Sequence, residues 1–310
     1  MTSQAAPGDW PSVSVVIPTR NRPELLALAI ESVLGQRYDG EIECLAVHDR
    51  TQPQVSGRDL PGRRLRIMEN TRSPGVAGTR NTGVLAAAGE LVAFCDDDDT
   101  WEPDKLRAQA LALASRPDAI GAACGCLIAQ DGRVTTRHPP TAELTHRQLL
   151  RSRVTAVHPS AMIFRRARLI DQVGLVDESL PGGYAEDYDW LLRATDAGPL
   201  LTIHDPLVRV LWHSGSFFNH DWETMIQAII HLSNKHPDFA TEPRGLARLY
   251  GRVAFAYAAL GSRRDAREWA LRALRLSPLE RRAYVALVVG SGLMHAKVAT
   301  RLANAFGRGI

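Results

Sequence analysis

Cysteine is scarce in this chain, with four in 310 residues. Cys44 and Cys95 lie in apolar, strand-like runs, and Cys124 and Cys126 form a C-x-C pair. No C-x-x-C spacing occurs, which excludes zinc ribbons and thioredoxin-like redox motifs. Too few cysteines are present for a disulfide scaffold, so a reduced, cytoplasmic compartment is expected. Long apolar runs are missing too. The longest late stretch, Tyr284 to Met294, is too short to span a bilayer and carries Gly290, Ser291 and Gly292. The first nine residues lack the basic start and apolar centre of a secretory leader. A glycine-rich phosphate loop with its lysine is absent, and Pro18 to Arg22 holds no glycine. That argues against P-loop phosphoryl transfer and nucleotidyl transfer. Neither sign of charge dominates, the net being +3, and no nucleic-acid partner is expected.

What is present begins with four consecutive aspartates, Asp96 to Asp99, after the apolar run Leu91 to Cys95. The run reads as a buried strand, and Pro103 reads as the start of a helix. The carboxylates therefore emerge at the C-terminal edge of a sheet, where open α/β folds bind ligands. So many like charges are costly without a cation, and hard oxygen ligands suit Mg²⁺ or Mn²⁺. A solvated acidic turn is the alternative.

Around this run the pattern alternates. Ser14 to Ile17, Ile42 to Val47 and Arg64 to Met68 read as strands, and Glu24 to Leu34 and Ala77 to Ala88 as helices. Alternation of this kind predicts a parallel sheet with helices on both faces. Further on, Val157 to Phe164 and Leu200 to Leu211 read as strands and Asp187 to Ala197 as a helix. Beyond Asp221 the chain reads as helical, with Pro237, Pro243 and Gly245 marking a linker. This predicts a main domain over residues 1–240 and a helical segment over 241–310. In that segment Tyr250, Val253, Ala254, Tyr257, Gly261, Ala266, Ala270, Ala273 and Pro278 fall at the spacing of one tetratricopeptide unit. Arg263 to Arg308 holds ten basic residues against Asp265, Glu268 and Glu280, a net of +7, so the remainder of the chain carries −4. A basic helical tail suits either an anionic membrane or acidic partner, or plain solvation.

Other strand ends carry candidate residues. Arg20 and Arg22 follow the first strand at the opening of a helix, a favourable place for an anion. Asp49 follows the second strand and suits either a nucleobase or ribose contact or a helix N-cap. Gly75 to Gly83 opens a helix, where Arg80 could pair with phosphate or the glycines could simply make a turn. Glu186 and Asp187 sit at a helix start, where the dipole keeps carboxylates ionised, as caps or as a base. His213 follows a strand and suits a metal or phosphate role or a core position.

Taken in order, these strings resemble the family-two nucleotide-sugar glycosyltransferases of the GT-A fold. They are Val13 to Arg22, Ser32 to Gln36, Gly75 to Gly83, Phe94 to Pro103 and Gly183 to Arg193. Pro159 to Arg166 and Val173 to Glu178 are similar to the family's acceptor-side signature. The resemblance covers roughly residues 12–220. It implies a GT-A fold, a Rossmann-like mixed sheet flanked by helices, with the helical segment appended. It implies transfer of a sugar from a nucleotide-diphosphate donor to an acceptor hydroxyl, with inversion and with Mn²⁺ or Mg²⁺. Pro18, Thr19, Arg20, Arg22, Asp49, Asp96 and Asp97 would then contact the donor nucleotide, the Asp96 to Asp99 run binding metal and ribose, and Arg80 would lie near its pyrophosphate. Asp96 and Asp98 match the family's D-x-D, with Asp98 a direct metal ligand, Asp97 and Asp99 flanking it, and His213 close to metal and pyrophosphate. Asp187 would be the general base. Glu186, Tyr184, His158 and Trp101 would lie on the acceptor side. The acceptor would be a glycan, a lipid-linked sugar or a small molecule, with peripheral membrane contact through the basic tail. Two departures stand out: His48-Asp49-Arg50-Thr51 replaces Asp-Asp-Gly-Ser, and Val210-Leu211-Trp212-His213 replaces Tyr-Arg-x-His. A non-catalytic nucleotide-binding scaffold acting through the helical hairpin is the alternative.

Overall fold

The computed structural model describes residues 10–52, 60–130, 132–212 and 221–305. Packing divides the chain into two units. The first comprises Met1–His146, Val154–Glu178 and Glu186–Ser216, and the second Arg147–Arg153, Ser179–Ala185 and Phe217–Ile310.

The first unit begins with β1 (Val13–Thr19), α1 (Pro23–Leu34), β2 (Ile42–His48), β3 (Arg63–Glu69), α2 (Val76–Ala86) and β4 (Leu91–Phe94). It continues through β5 (Thr100–Trp101), α3 (Lys105–Ser115), β6 (Gly121–Gln130), β7 (Arg133–Arg137) and β8 (Glu143–Leu144). After α4 (His146–Arg151), whose residues from Arg147 on belong to the second unit, come β9 (Met162–Arg165), α5 (Arg166–Arg168), α6 (Glu186–Ala197) and β10 (Leu200–Trp212). One sheet has the order β3-β2-β1-β4-β9-β6-β10-β5, with β7 on β6 and β8 on β10. The first four strands pair in parallel, as the alternation predicts. β9 is antiparallel to both β4 and β6, which makes the whole sheet mixed.

Alternation along β1 assigns the helices to faces. Val13, Val15 and Ile17 pack with Leu26, Ala29, Ile30 and Val33 of α1 and with Leu106, Ala110 and Leu113 of α3. Val16 points to the other face, where α2 docks through Gly83. Phe94 lies opposite Val16 in the register, and its ring meets Trp190 of α6 at 4.8 Å. So α1 and α3 cover one face, and α2 and α6 the other. Both faces are buried, which is why β1 reads as a continuous apolar run.

Three sequence expectations need correction. Pro103 does not start a helix: the two-residue strand β5 comes first, and α3 begins at Lys105. Val157 to Phe164 is not one strand, because Pro159 lacks a ladder N–H and opens a 3₁₀ turn, Pro159–Ala161, before β9. Pro243 and Gly245 are not linker residues. Pro243 is the first residue of α8 (Pro243–Ala259). Gly245 lies within that helix, where a Cβ would fall 1.9 Å from the Leu150 carbonyl oxygen. The glycine reflects close packing, not chain freedom.

The second unit holds α7 (Trp222–Lys235), α8, α9 (Arg263–Leu276), α10 (Arg281–Gly290) and α11 (Ala296–Ala305). Its core is built largely of alanine: Ala254 and Ala258 of α8, Ala266, Ala270 and Ala273 of α9, and Ala283 and Ala286 of α10. Small side chains let these helices approach closely, and Tyr250 meets Trp269 edge-on at 5.0 Å. Of the tetratricopeptide-like positions, Tyr250, Ala254 and Tyr257 of α8 and Ala266, Ala270 and Ala273 of α9 join this core, Gly261 and Pro278 lie outside the two helices, and α10 packs on both. No helix among the described residues is long and apolar enough to cross a membrane.

A Cβ at Gly83 would meet Val16 Cγ1 at 2.3 Å. Gly83→Ala is expected to destabilise the protein by about 1–3 kcal/mol through overpacking. Val16→Ala in the same background should recover part of the loss. Denaturant unfolding measures both, and unchanged stability in Gly83→Ala would refute this docking of α2 on β1.

Candidate active site

The parallel strands all end at one edge, and the acidic run leaves β4 there. Pro18 pairs with Val47, and Thr19 ends β1 beside His48. The Thr19 hydroxyl donates to Asp97 Oδ2 at 2.8 Å, and the Arg20 N–H reaches the same oxygen at 3.4 Å. Arg22 Nη1 bridges Asp97 at 3.1 Å and Asp98 at 2.7 Å. The turn after β1 therefore clamps the middle of the acidic run. Asp49 is buried at the end of β2. Its Oδ1 accepts from Asn70 Nδ2 at 3.0 Å and its Oδ2 from the Gly75 N–H at 3.1 Å, while Arg20 stands 3.9 Å away. Asp49 caps no helix of its own segment. Arg50, where the family pattern has glycine, still takes a left-handed φ of 55°.

A second group joins the run to α6. Arg80 is 3% exposed. Its guanidinium donates to Asp96 Oδ1 and to Glu186 Oε1, each at 2.7 Å. Asp187 is buried in the first turn of α6, where its Oδ1 accepts its neighbour Tyr188's N–H at 2.8 Å. On the other flank His158 lies 3.3 Å from Asp99 and 3.9 Å from Asp96. The Ser160 hydroxyl donates to Asp99 Oδ2 and accepts the Asp96 N–H at 2.9 Å.

Electrostatics follow from this crowding. Burial, reinforced by the charges of Asp96, Asp99 and Asp97, pushes Asp98 up to about 7 despite Arg22. Burial also raises Glu186, with Asp187 adding to the rise and Arg80 opposing it. For Asp96 burial acts upward, but Arg80 and His158 outweigh it and hold the carboxyl below its usual range. Burial acts to lower His158, yet Asp99, Asp96 and Asp187 together raise it to about 9. Asp187 is therefore close enough for its charge to act on that imidazole. Asp96, Asp99 and His158 each offer a ligand atom, and these atoms lie within 4.8 Å of one another. An oxygen-rich set with one imidazole suits a hard or borderline divalent cation. Asp98, the direct ligand implied by the resemblance, is engaged by Arg22 and is not part of that set.

The expected residues do not all converge. Trp101 is buried in the core, its ring capped at 3.6 Å by the Lys105 ammonium. Tyr184 belongs to the second unit, where Arg252 donates to its hydroxyl. His213 lies outside the described residues. A cavity of about 400 Å³ lies at the opposite edge of the sheet, lined by Gln36, Tyr38, Leu60 and Arg63, and none of the clustered acids borders it.

Sequence reasoning missed Ser160, Asn70 and the buried Lys105–Gln109 pair. Gln109 Nε2 donates to the Ala161 carbonyl at 2.7 Å and so buttresses the turn that carries His158 and Ser160. Its amide is oriented by Lys105 Nζ at 2.9 Å, and burial pushes that ammonium down to about 8. A lysine and a glutamine spaced i, i+4 on the apolar face of a helix were the available signal.

Comparison with known proteins agrees with this architecture. The chain is similar to the succinoglycan biosynthesis protein ExoO of Rhizobium meliloti (strain 1021), at 30% identity over 222 residues, 66% of this chain and 61% of that protein. The chain spans between 23% and 61% of the length of the first curated relatives it matches. In fold it is similar to S. aureus TarS 1-349 in complex with UDP-GlcNAc, with a TM-score of 0.63 and 17% identity over 96% of this chain and 92% of that one. It is also similar to the mannosyltransferase PcManGT from Pyrobaculum calidifontis in complex with GDP-Man and Mn²⁺, with a TM-score of 0.54 and 19% identity over 97% and 81%. The fold is GT-A. A model described as glycosyl transferase family 2 matches residues 14–172, just over half of the chain and the part that carries β1 through the acidic run to β9, and the chain belongs to that family.

Proposed function

We propose that this protein transfers a sugar from a nucleotide-diphosphate donor to an acceptor hydroxyl, inverting the anomeric centre, with Asp187 as general base. The observation that carries this reading is the ion pairing of Arg80 with both Asp96 and Glu186, which ties the acidic run to the first turn of α6. Family membership supports the reaction class, and the UDP-GlcNAc and GDP-Man complexes of TarS and PcManGT support a nucleotide-sugar donor. The acceptor is a glycan, a lipid-linked sugar or a small molecule. The succinoglycan biosynthesis in the name of ExoO favours the first two.

In this reading Thr19, Arg20 and Asp49 hold base and ribose, and Arg22 and Arg80 fix the carboxylates that face the diphosphate. A divalent ion, Mn²⁺ or Mg²⁺, would be held by the acidic run, with Asp96 common to the Asp98 and the Asp99–His158 alternatives. Bound there, it would neutralise charge building on the departing diphosphate. Asp187 takes the proton from the acceptor hydroxyl as that oxygen attacks the face of the sugar opposite the leaving group. Glu186, held by Arg80, fixes the first turn of the helix and so the direction of Asp187. Asp187→Asn is expected to lower kcat by about 10²- to 10⁴-fold with donor affinity nearly unchanged. Near-normal turnover in that variant would move the base elsewhere, with Glu186 the next to replace. A wild-type protein that binds a nucleotide sugar yet transfers nothing to any acceptor would favour a non-catalytic scaffold.

The cation site has its own test. Asp98→Ala is expected to abolish Mn²⁺-dependent binding of a nucleoside diphosphate, read by titration calorimetry. Retained binding in that variant, together with loss in Asp99→Asn, would put the ion on Asp96, Asp99 and His158.

Peripheral membrane contact through the second unit is the other part of the proposal. Arg263, Arg264, Arg267, Arg275 and Arg281 are exposed, while Arg282 is half-buried beside Glu280. Leu279 and Leu293 are 82% and 84% exposed. The turn that precedes Leu293 lies against Arg263, whose Nη2 stands 3.4 Å from the position of a Cβ on Gly292. Basic and apolar side chains thus share a corner, as on proteins that sit on anionic bilayers. Each basic group near such a surface contributes about 1 kcal/mol. Co-sedimentation with anionic vesicles is expected at low salt and not at high salt, and no binding at low salt ends this part of the reading.

A further inference from the structure

Glu178 belongs to a stretch that the family resemblance puts on the acceptor side, yet its contacts lead elsewhere. Its carboxylate accepts from Asn81 Nδ2 at 2.6 Å, the Ser73 hydroxyl at 2.5 Å, the Ser73 N–H at 3.3 Å and Arg72 Nε. Asn81 is fully buried and grips the backbone of Val176 from both sides, donating to its carbonyl and accepting its N–H, each at 2.8 Å. The Val176–Glu178 segment is therefore pinned to α2 and points its acid at the loop before that helix. Four donors on one carboxylate outweigh the upward push of burial and hold Glu178 down at about 2.

The loop so gripped is the one that holds Asp49. Asn70 Nδ2 donates to Asp49 Oδ1 at 3.0 Å and to the Ser73 carbonyl at 2.9 Å. Asn70 Oδ1 accepts the Arg72 N–H at 3.0 Å and the Thr82 hydroxyl at 2.9 Å. Gly75, with φ of 107°, turns its N–H onto the other Asp49 oxygen and starts α2. The fit is close, since a Cβ at Gly78 would fall 1.9 Å from the Ser73 carbonyl oxygen. Glu178, Ser73, Asn70, Gly75 and Asp49 form one continuous polar path, all within the first unit.

We propose that Glu178 is a positioning residue for the donor nucleotide, holding the 70–75 loop, and through it Asp49 and the start of α2, in the conformation that binds a nucleoside diphosphate. The inference rests on the reading of Asp49 as a donor contact given above. It predicts a donor-side defect from a residue that is not expected to touch the donor. Loss of charge-assisted hydrogen bonds in Glu178→Gln should weaken nucleoside diphosphate binding about ten-fold or more. A rise in donor KM with kcat within about two-fold marks loss of binding shared by ground state and transition state.

The experiment titrates UDP, GDP and dTDP with Mn²⁺ into wild type, Glu178→Gln and Glu178→Asp. It then measures donor and acceptor KM separately, and follows amide hydrogen exchange over residues 70–76. Expected are weaker nucleotide binding, a raised donor KM, an unchanged acceptor KM and faster exchange in Glu178→Gln, with partial recovery in Glu178→Asp. Where Glu178→Gln does not fold, Ser73→Ala removes one donor from the same carboxylate and should move the same quantities less. Unchanged nucleotide affinity with a raised acceptor KM would overturn the inference and return Glu178 to the acceptor side. Unchanged values throughout would overturn it too, leaving the donor reading intact. A wild-type protein that binds none of the three nucleotides would overturn both.

Discussion

Like charge, gathered at one sheet edge, is the constraint that the first unit is organised around. Asp96 to Asp99, Glu186 and Asp187 are all buried or half-buried, and Arg22, Arg80 and His158 are the cations set among them. Carboxylates this close cannot all remain ionised without compensation. The cluster handles this unevenly. Asp96, flanked by Arg80 and His158, is held below its ordinary range, while Asp98, with three acidic neighbours and one guanidinium, is pushed up to about 7. The surplus is therefore local, and it lies in the middle of the run, where burial raises both Asp97 and Asp98. A bound cation would relieve that surplus, and the three-ligand set at Asp96, Asp99 and His158 is one place where the donor atoms already converge.

The first half of the fold was legible in the sequence because its strands are buried on both faces. Such strands leave continuous β-branched runs, and the helices between them carry apolar faces of ordinary spacing. The second half was harder for a physical reason. β9 enters the sheet antiparallel after a 3₁₀ turn, and its neighbour Ser160 is spent on holding Asp99 and the Asp96 N–H. A serine in that role has no periodicity to betray it. His158 adjoins an acceptor-like string, but its pairing across to the acidic run joins residues more than fifty positions apart. For Asp49 the sequence leaves a helix cap as the alternative. Its two oxygens are instead taken by Asn70 and Gly75, from the loop after the next strand. Pairings of that kind depend on which strand ends lie side by side, and topology decides that after the local elements are formed. Gly245 shows the opposite error. A glycine beside prolines suggested a linker, whereas the residue is small so that a helix can pass within contact of the Leu150 carbonyl.

Helix α2 shows how packing and site are written into the same residues. Its composition is poor for a helix, with two glycines, two threonines and an asparagine among eleven residues, so local propensity does not hold it in place. Tertiary contacts do, and each weak helix former has a definite partner. Gly78 lets the Ser73 carbonyl approach, and Gly83 lets the helix lie on Val16. The Thr82 hydroxyl donates to Asn70, and Asn81 clasps the Val176 backbone. One turn before Val84 reaches the core, Arg80 leaves the same helix to span Asp96 and Glu186. A more helix-prone sequence would cost less to fold locally but would lose the close approach that lets one helix touch β1, the 70–75 loop, the acidic run and α6 together. Each low-propensity residue in this segment is thus tied to a contact that only a small or hydrogen-bonding side chain can make, and the geometry of the acidic edge depends on the sum of those contacts.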